Sequence, residues 1–320
     1  MWFDLFLVLL GIGLLTAGGE LLISGALGFA RRLQISTLLT GLLVVGFGTS
    51  MPELVVSVDA ALINQPGIAL GNVIGSNIAN VLLILGLCAV VRPLPVTPLG
   101  LSRDGVSGVA VSGLFILLAG GVALGRVDGL ILLTGLAAYL AWAYRSEKRL
   151  EAENVREVDP DAVPGSADHS VPYITLAIIG GLVLLIAGSR VLLIGAVALA
   201  RDLGVSEAVI GLTLVAVGTS LPELAVSLLA VIRRQVDVAV GNILGSNLFN
   251  LLGILGVSSL LQTLPFPRRL VVFDQWVLLA SSVAVLVMLW TGRRLSRIEG
   301  ATFLLAYAVY LFVTFWVFPS

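Results

Sequence analysis

The sequence predicts an all-α integral membrane protein with ten transmembrane helices, arranged as two inverted five-helix repeats. Of the 320 residues, 58% are hydrophobic and only 12% are charged, and the mean hydropathy is +1.09, whereas soluble domains are about one-quarter charged. Apolar runs of about 20 residues, which can cross a bilayer as helices, recur along the chain. Because these runs lack strict alternation, helices are expected and a β-barrel is not.

The ten spans are predicted near residues 3–30, 36–63, 68–91, 104–124, 127–145, 172–200, 206–232, 237–261, 272–291 and 298–318. A polar segment divides them into an N-terminal repeat (1–145), a linker (146–170) and a C-terminal repeat (171–320). The first half of the linker is expected to extend the fifth helix. The first run lacks a basic region and a cleavage site, so it is interpreted as a retained helix and not as a signal peptide.

The distribution of basic residues predicts the orientation. Connections after spans 1, 3, 5, 7 and 9 hold thirteen Arg and Lys residues, and those on the opposite side hold four. The positive-inside rule then places the linker in the cytoplasm and both termini outside, in the cell (inner or plasma) membrane. With an odd number of spans in each half, the second half is inverted relative to the first.

The two halves are also similar in sequence. A shift of 170 positions superposes residues 41–87 on residues 211–257 without a gap, with roughly half the positions identical, as expected of an internal repeat. Inverted repeats with interrupted helices at equivalent positions are typical of secondary transporters.

Spans 2 and 7 carry GTSMPE and GTSLPE, which place Glu53 and Glu223 inside apolar segments. An ionisable group in lipid costs at least a few kcal/mol and therefore indicates function. The proline before each glutamate has no N–H and displaces a backbone carbonyl. Backbone oxygens near Gly46 and Ala216 are therefore expected to be available to a cation at membrane depth.

Spans 3 and 8 carry GNVIGSNIAN and GNILGSNLFN, in which Ser76 and Asn80, like Ser246 and Asn250, are four residues apart on one helical face. Spans 2, 3, 7 and 8 are predicted to be interrupted or kinked around one ion site in the middle of the membrane. Carboxylate, hydroxyl, amide and carbonyl oxygens suit Ca²⁺ or Na⁺, and the chain has no His or Cys set for zinc or copper.

The paired GTSxPE and GNxxGSNxxN motifs resemble the two alpha repeats of the cation/calcium antiporter superfamily, specifically the prokaryotic sodium/calcium exchangers. The resemblance implies that Glu53 and Glu223 are shared by Na⁺ and Ca²⁺, and that spans 1 and 6 slide to alternate access. The further ligands that it implies are Thr49, Ser50, Ser76, Asn80, Thr219, Ser220 and Ser246. Asn250 departs from the family's aspartate, which leaves two acids in the site and the number of coupled Na⁺ ions open.

Other functions use the same residues. In a Ca²⁺/H⁺ antiporter, protons would discharge the two glutamates, whereas a cation channel is less favoured because the repeats favour alternating access. An enzyme is not expected, since no nucleophile with a histidine base is evident. The expected partners are inorganic cations (Ca²⁺, Na⁺ and, in the alternative, H⁺) and the lipid bilayer. No cofactor, nucleic acid or obligate protein partner is expected.

Glu20, Arg190 and Asp59 are further charged residues inside predicted spans. Glu20 and Arg190 occupy equivalent positions in spans 1 and 6. They are interpreted as a mutual or local ion pair, or as facing water, and not as transport ligands. Asp59, about two turns beyond Glu53, either guides cations toward the site or lies at a solvated helix end.

Overall fold

The computed structural model describes residues 2–95, 100–154, 170–203 and 218–318, with the backbone alone for 100–102 and 147–154. Its helices, in chain order, are α1 (Trp2–Leu33), α2 (Thr37–Thr49), α3 (Met51–Leu62), α4 (Pro66–Val91), α5 (Val106–Ala119), α6 (Arg126–Asn154), α7 (Val171–Asp202), α8 (Leu221–Ile232), α9 (Val236–Leu261), α10 (Leu270–Gly292) and α11 (Arg297–Trp316). The first part of the predicted linker thus belongs to α6. Residues 155–169 lie outside the described part.

The predicted all-helical membrane class is confirmed. Among the described residues, seven helices are long and apolar enough to cross a membrane: α1, α4, α6, α7, α9, α10 and α11. The pair α2 and α3, bent by 44°, would be an eighth. Helices α5 and α8 are shorter, and the first half of the seventh predicted span lies mostly in residues 204–217, outside the described part. The count of ten stays a prediction.

Local sequence explains the interruptions. Ser50, two residues before Pro52, has non-helical backbone angles (φ −80°, ψ 6°) and separates α2 from α3. Ser220, two residues before Pro222, has similar angles (φ −89°, ψ 8°) and precedes α8. Short π-helical turns occur at Gly41–Gly46 in α2, Asn80–Leu85 in α4 and Phe249–Ile254 in α9. Such turns are frequent at functional sites because they re-aim side chains within a helix.

Helices α1 and α7 form a tightly packed pair. A Cβ atom added to Gly18 would lie 2.8 Å from the carbonyl oxygen of Gly181, and one added to Gly188 would lie 2.8 Å from the backbone nitrogen of Leu15. Glycine at these positions lets the two backbones touch, as small residues do between membrane helices. The pair is therefore held together more closely than side chains of ordinary size would allow.

Helix α1 also packs against α8, which follows Ser220. Gly19 faces Val226 and Leu229, and Glu20 forms an ion pair with Arg233, whose Nε donates to Glu20 Oε1 at 2.8 Å. Of the alternatives for Glu20 and Arg190, the mutual ion pair is not formed: Glu20 reaches the charge at the end of α8, and Arg190 is exposed.

The two halves of the chain contact each other at several places in the fold. Strand β1 (Leu94–Pro95) pairs with β4 (Arg294–Leu295), and β2 (Ala123–Leu124) pairs with β3 (Leu264–Pro265), both antiparallel. Each ladder takes one strand from each half. The hydroxyls of Ser112 and Ser282, at equivalent positions 170 residues apart, lie 3.0 Å from each other.

Two buried polar clusters anchor the outer helices. Asp104 pairs with Arg103 and accepts a hydrogen bond from Tyr139 of α6 at 2.8 Å. In the second half, Asp274 accepts hydrogen bonds from Tyr310 of α11 at 3.1 Å and from Arg269 at 2.9 Å. Arg103, which counts toward the predicted orientation, is only 1% exposed, so part of its role is to hold α5 against α6.

Candidate cation site

The two glutamates lie at one buried site, each held by the opposite half of the chain. Glu53 is 1% exposed and Glu223 is fully buried. Ser50 Oγ donates a hydrogen bond to Glu223 Oε1 at 3.0 Å, and Ser220 Oγ donates one to Glu53 Oε1 at 3.1 Å. The break in each helix is therefore what allows its serine to reach the carboxylate of the other break.

Asn72 and Asn242 fix the backbone around the glutamates. Asn72 Nδ2 donates to the Glu53 carbonyl at 3.2 Å and to Ser57 Oγ at 2.9 Å. Asn242 Nδ2 donates in the same way to the Glu223 carbonyl at 3.3 Å and to Ser227 Oγ at 2.8 Å. These amides join two helices in each half and hold the carboxylates in place.

The two threonines of the GTSxPE motifs bind those same amides. Thr49 Oγ1 donates to Asn242 Oδ1 at 3.1 Å, and Thr219 Oγ1 donates to Asn72 Oδ1 at 3.5 Å. The bonds again cross from one half to the other. The lone pairs of each threonine hydroxyl oxygen stay available to a cation, because in these bonds the hydroxyl is the donor.

Several buried oxygens at the site have no hydrogen-bond partner among the described residues. They are Glu53 Oε2, Glu223 Oε2, Ser76 Oγ, Asn80 Oδ1 and Asn250 Oδ1. Burying a carboxylate or an amide oxygen without a partner is costly. A positive ion among them would remove that cost. All five are oxygens, the donor type that Ca²⁺ and Na⁺ prefer, so the residues present fit a hard cation as substrate.

The amide nitrogens of Asn80 and Asn250 are bound elsewhere, which leaves their oxygens available. Asn80 Nδ2 donates to Asn247 Oδ1 at 3.0 Å, and Asn250 Nδ2 donates to Asn77 Oδ1 at 3.4 Å. Sequence reasoning did not single out Asn77 and Asn247, although both belong to the GSN triplets of the repeated motif. Each one orients a candidate ligand of the other half.

The backbone carbonyls behave differently from the sequence expectation. The Gly46 carbonyl accepts hydrogen bonds from Ser246 Oγ at 3.0 Å and from the Ser50 N–H at 3.2 Å, so it is already bound within the protein. The Gly218 carbonyl accepts a bond from Ser189 Oγ of α7 at 2.6 Å. Ala216 lies outside the described residues.

Within the described residues, no group of three or more His, Cys, Asp or Glu side chains could hold a metal ion. Cys88 is buried and unpaired in α4, away from these groups.

Comparisons with known proteins identify the family. A model of the family described as sodium/calcium exchanger protein matches residues 3–145 and 173–316. The putative antiporter CaxA of Alkalimonas amylolytica is 35% identical over 317 residues, covering 96% of this chain and 97% of that protein. The sodium/calcium exchanger MaX1 of Methanosarcina acetivorans is 30% identical over 350 residues, covering 98% and 99%.

Solved structures agree with these relatives. The sodium-calcium exchanger NCX_Mj, soaked with zero Na⁺ and Ca²⁺, matches with a TM-score of 0.82 and 33% identity over 96% of this chain and 97% of that one. The match is therefore to a membrane transporter and extends over nearly the whole fold. This chain belongs to the sodium/calcium exchanger protein family.

Proposed function

We propose that the protein is a secondary active antiporter that exchanges Ca²⁺ for Na⁺ across the cell membrane, with both ions using Glu53 and Glu223. The observation that carries this proposal is the pair of crossed bonds, Ser50 to Glu223 and Ser220 to Glu53, at 3.0 and 3.1 Å. They bring two buried carboxylates into one cage, in which five buried oxygens have no hydrogen-bond partner among the described residues. Two carboxylates match the charge of one Ca²⁺.

The proposed ligands divide into two groups. The two carboxylates, Asn80 Oδ1, Asn250 Oδ1 and Ser76 Oγ have oxygens without hydrogen-bond partners and are proposed to bind the cation directly. The others have oxygens that also take part in hydrogen bonds or that lie outside the described residues: Thr49, Ser50, Thr219, Ser220, Ser246, Gly46 and Ala216. The serines and threonines of this second group are proposed to bind when their hydroxyls rotate, and Gly46 and Ala216 through their carbonyl oxygens.

Exchange follows from the shared carboxylates. Two like charges in one buried cage repel each other, so the empty site is disfavoured unless a proton or a cation is present. Ca²⁺ and Na⁺ cannot both use the two glutamates at once. If only the neutralised site crosses the membrane, each ion is exported only when the other is imported.

The proposed architecture is ten spans in two inverted repeats. Its support is that contacts of the site recur at a shift of 170 positions: Asn72 with Glu53 and Ser57, and Asn242 with Glu223 and Ser227. The proposed moving part is the α1–α7 pair, because glycine contacts bind these two helices to each other at the backbone. The linker is proposed to be cytoplasmic and both termini to lie outside.

The test is Ca²⁺ uptake into proteoliposomes of purified protein, with membrane voltage clamped. We expect an outward Na⁺ gradient to drive radioactive Ca²⁺ inward and an imposed pH gradient alone to drive much less. Glu223→Gln should abolish uptake. Glu299→Gln is the matched control, since Glu299 lies at the start of α11 and caps that helix through the Ser296 N–H at 2.7 Å.

Two results would contradict the proposal. Uptake driven by the pH gradient and indifferent to Na⁺ would replace it with Ca²⁺/H⁺ exchange. Full Na⁺-driven uptake by Glu223→Gln would remove the glutamate from the mechanism.

A further inference from the structure

Helices α3 and α8 are equivalent in the two repeats, but within the described residues α1 packs on α8 and the equivalent face of α3 is more exposed. On α8, Val226 is fully buried, with Gly19 of α1 facing it and Leu229. On α3, the equivalent of Val226 is Val56, which is 37% exposed, and the equivalent of Leu229 is Asp59, which is exposed. The side of the site next to α8 is therefore closed, and the side next to α3 is uncovered.

The closed side carries an ion pair between the α1–α7 pair and the rest of the fold. Arg233 at the end of α8 donates to Glu20 of α1 at 2.8 Å. Both side chains are partly exposed, by 54% and 31% respectively, so the pair can open without burying an isolated charge. It connects a helix of the proposed moving pair to a helix that carries a site glutamate.

A shift of 170 residues gives the positions on α7 and α3 that are equivalent to this contact between α1 and α8. Gly19 becomes Ser189 and Glu20 becomes Arg190 on α7, while the partners become Val56 and Asp59 on α3. Arg233 becomes Ile63, which cannot pair with Arg190. Asp59 is four residues before Ile63 and so lies on the same face of α3.

Arg190 and Asp59 are both exposed in this structure. Neither side chain has a hydrogen bond or ion pair with any described residue. Their charges are the reverse of those on the closed side: the moving helix carries the arginine and the fixed helix carries the acid. A charge that is costly in a membrane segment and has no partner among the described residues is explained if it acquires one in another state.

We infer that two alternative ion pairs, here called latches, each stabilise one of two states of the protein. Glu20 with Arg233 holds the state described here, and Arg190 with Asp59 holds the opposite state, in which α7 covers α3. This inference rests on the proposed alternating access. By the predicted orientation, the first latch closes the cytoplasmic side and the second closes the outer side.

The test measures which side is covered, without measuring transport. In a Cys88→Ala background, single reporters Val226→Cys and Val56→Cys are labelled in purified protein with a bulky, water-soluble maleimide. Exposed ion pairs contribute about 0.2–1 kcal/mol, so Glu20→Gln should raise the labelling rate at the Val226→Cys reporter by about 1.4- to fivefold. The rate at the Val56→Cys reporter should fall.

The opposite latch has the opposite effect. Asp59→Asn and Arg190→Gln should each lower labelling of the Val226→Cys reporter, because they destabilise the state in which α8 is uncovered. Arg233→Gln removes the other member of the first pair and should act like Glu20→Gln. Its matched control is Arg234→Gln, which removes the neighbouring charge outside the pair. The exchanged pair Glu20→Arg with Arg233→Glu should restore the original rates.

Unchanged rates in Glu20→Gln and Asp59→Asn would overturn the inference. So would a rise at both reporters in the same variant, which would mean general loosening. These results are separate from the proposed function: Na⁺-driven Ca²⁺ uptake can be present when the latches fail, and a shift in labelling can be present when uptake is absent.

Discussion

Helices α3 and α8 have nearly the same sequence at the site but different surroundings. Both begin after a helix break, both place a buried glutamate near the break, and both are tied to the next helix by an asparagine. They differ on the face away from the site. Val226 of α8 is fully buried next to α1, whereas its equivalent, Val56 of α3, is 37% exposed.

This difference in burial shows that the repeated sequence determines the local structure of the site but not the packing of other helices around it. Proline, glutamate and asparagine act on their own turn and on the next helix, so both copies form the same local structure. The contact with α1 depends on where the α1–α7 pair lies. Since one pair cannot cover both faces in the same way, a symmetric site with asymmetric surroundings is what an alternating carrier requires.

The largest expected effect tests the symmetric part of the comparison. Glu53→Gln and Glu223→Gln should each lower Ca²⁺ affinity by a similar factor, on the order of a thousandfold, because a charge pair about 4 Å apart is worth roughly 4 kcal/mol at an effective dielectric constant of about 20. Equilibrium binding of radioactive Ca²⁺ to purified variants measures this. Wild-type affinity in one variant and loss in the other would show that the two halves are not equivalent at the site.

A smaller effect is expected from separating α1 and α7. A Cβ atom at Gly181 would lie 2.7 Å from the backbone nitrogen of Leu22, whereas one at Gly180 would meet nothing within 4 Å. Gly181→Ala should therefore destabilise the fold by about 1–3 kcal/mol through overpacking. Gly180→Ala, the adjacent control, should be neutral or slightly stabilising.

Thermal unfolding of the two alanine variants in detergent gives this comparison directly. It also bears on the coverage of α8, since a disturbed pair should leave Val226 more accessible. Equal melting temperatures for the two variants would mean that α1 and α7 are not held together through their glycines.

The smallest effect is expected at the hydrogen bond from Ser189 of α7 to the Gly218 carbonyl near the second helix break. Ser189→Ala leaves the Gly218 carbonyl without its 2.6 Å donor, at a cost of about 1 kcal/mol. Ser189→Thr retains the hydroxyl and should recover most of the loss. The equivalent position in the other repeat is Gly19, which has no hydroxyl, so the bond belongs to the asymmetric part of the structure. A Ser189→Ala variant as stable as wild type would exclude this bond as a contributor.

Much of the site could be predicted because its residues are local to a repeated motif. Glu53 and Glu223 stand out as charges in apolar segments, and the proline next to each predicts the helix break that the structure has. The candidate ligands Ser76, Asn80 and Asn250 follow from spacing along a helix. The carbonyl of Gly46 was harder to predict, because its partner, Ser246, comes from the other half and only the packing brings the two together.

Other features depend on contacts between residues that lie outside the repeated motifs or far apart in the sequence. The partner of Glu20 is 213 residues away, and the position equivalent to Arg233 in the first repeat is Ile63, so the internal repeat does not indicate this ion pair. Arg103 looked like a topology signal because it lies between spans. It is buried because it pairs with Asp104 and donates a hydrogen bond to the Ala143 carbonyl of α6, and neither residue belongs to the repeated motif.

The two short strand ladders have a consequence for how the chain is held together. Because β1 pairs with β4 and β2 pairs with β3, neither half completes a ladder of its own. The same interlacing recurs where α4 and α11 touch, since a Cβ atom at Gly300 would lie 2.6 Å from the Gly86 carbonyl oxygen. The two halves of the chain are therefore held to each other at several places, and two separate chains made from them would offer each other the same contacts.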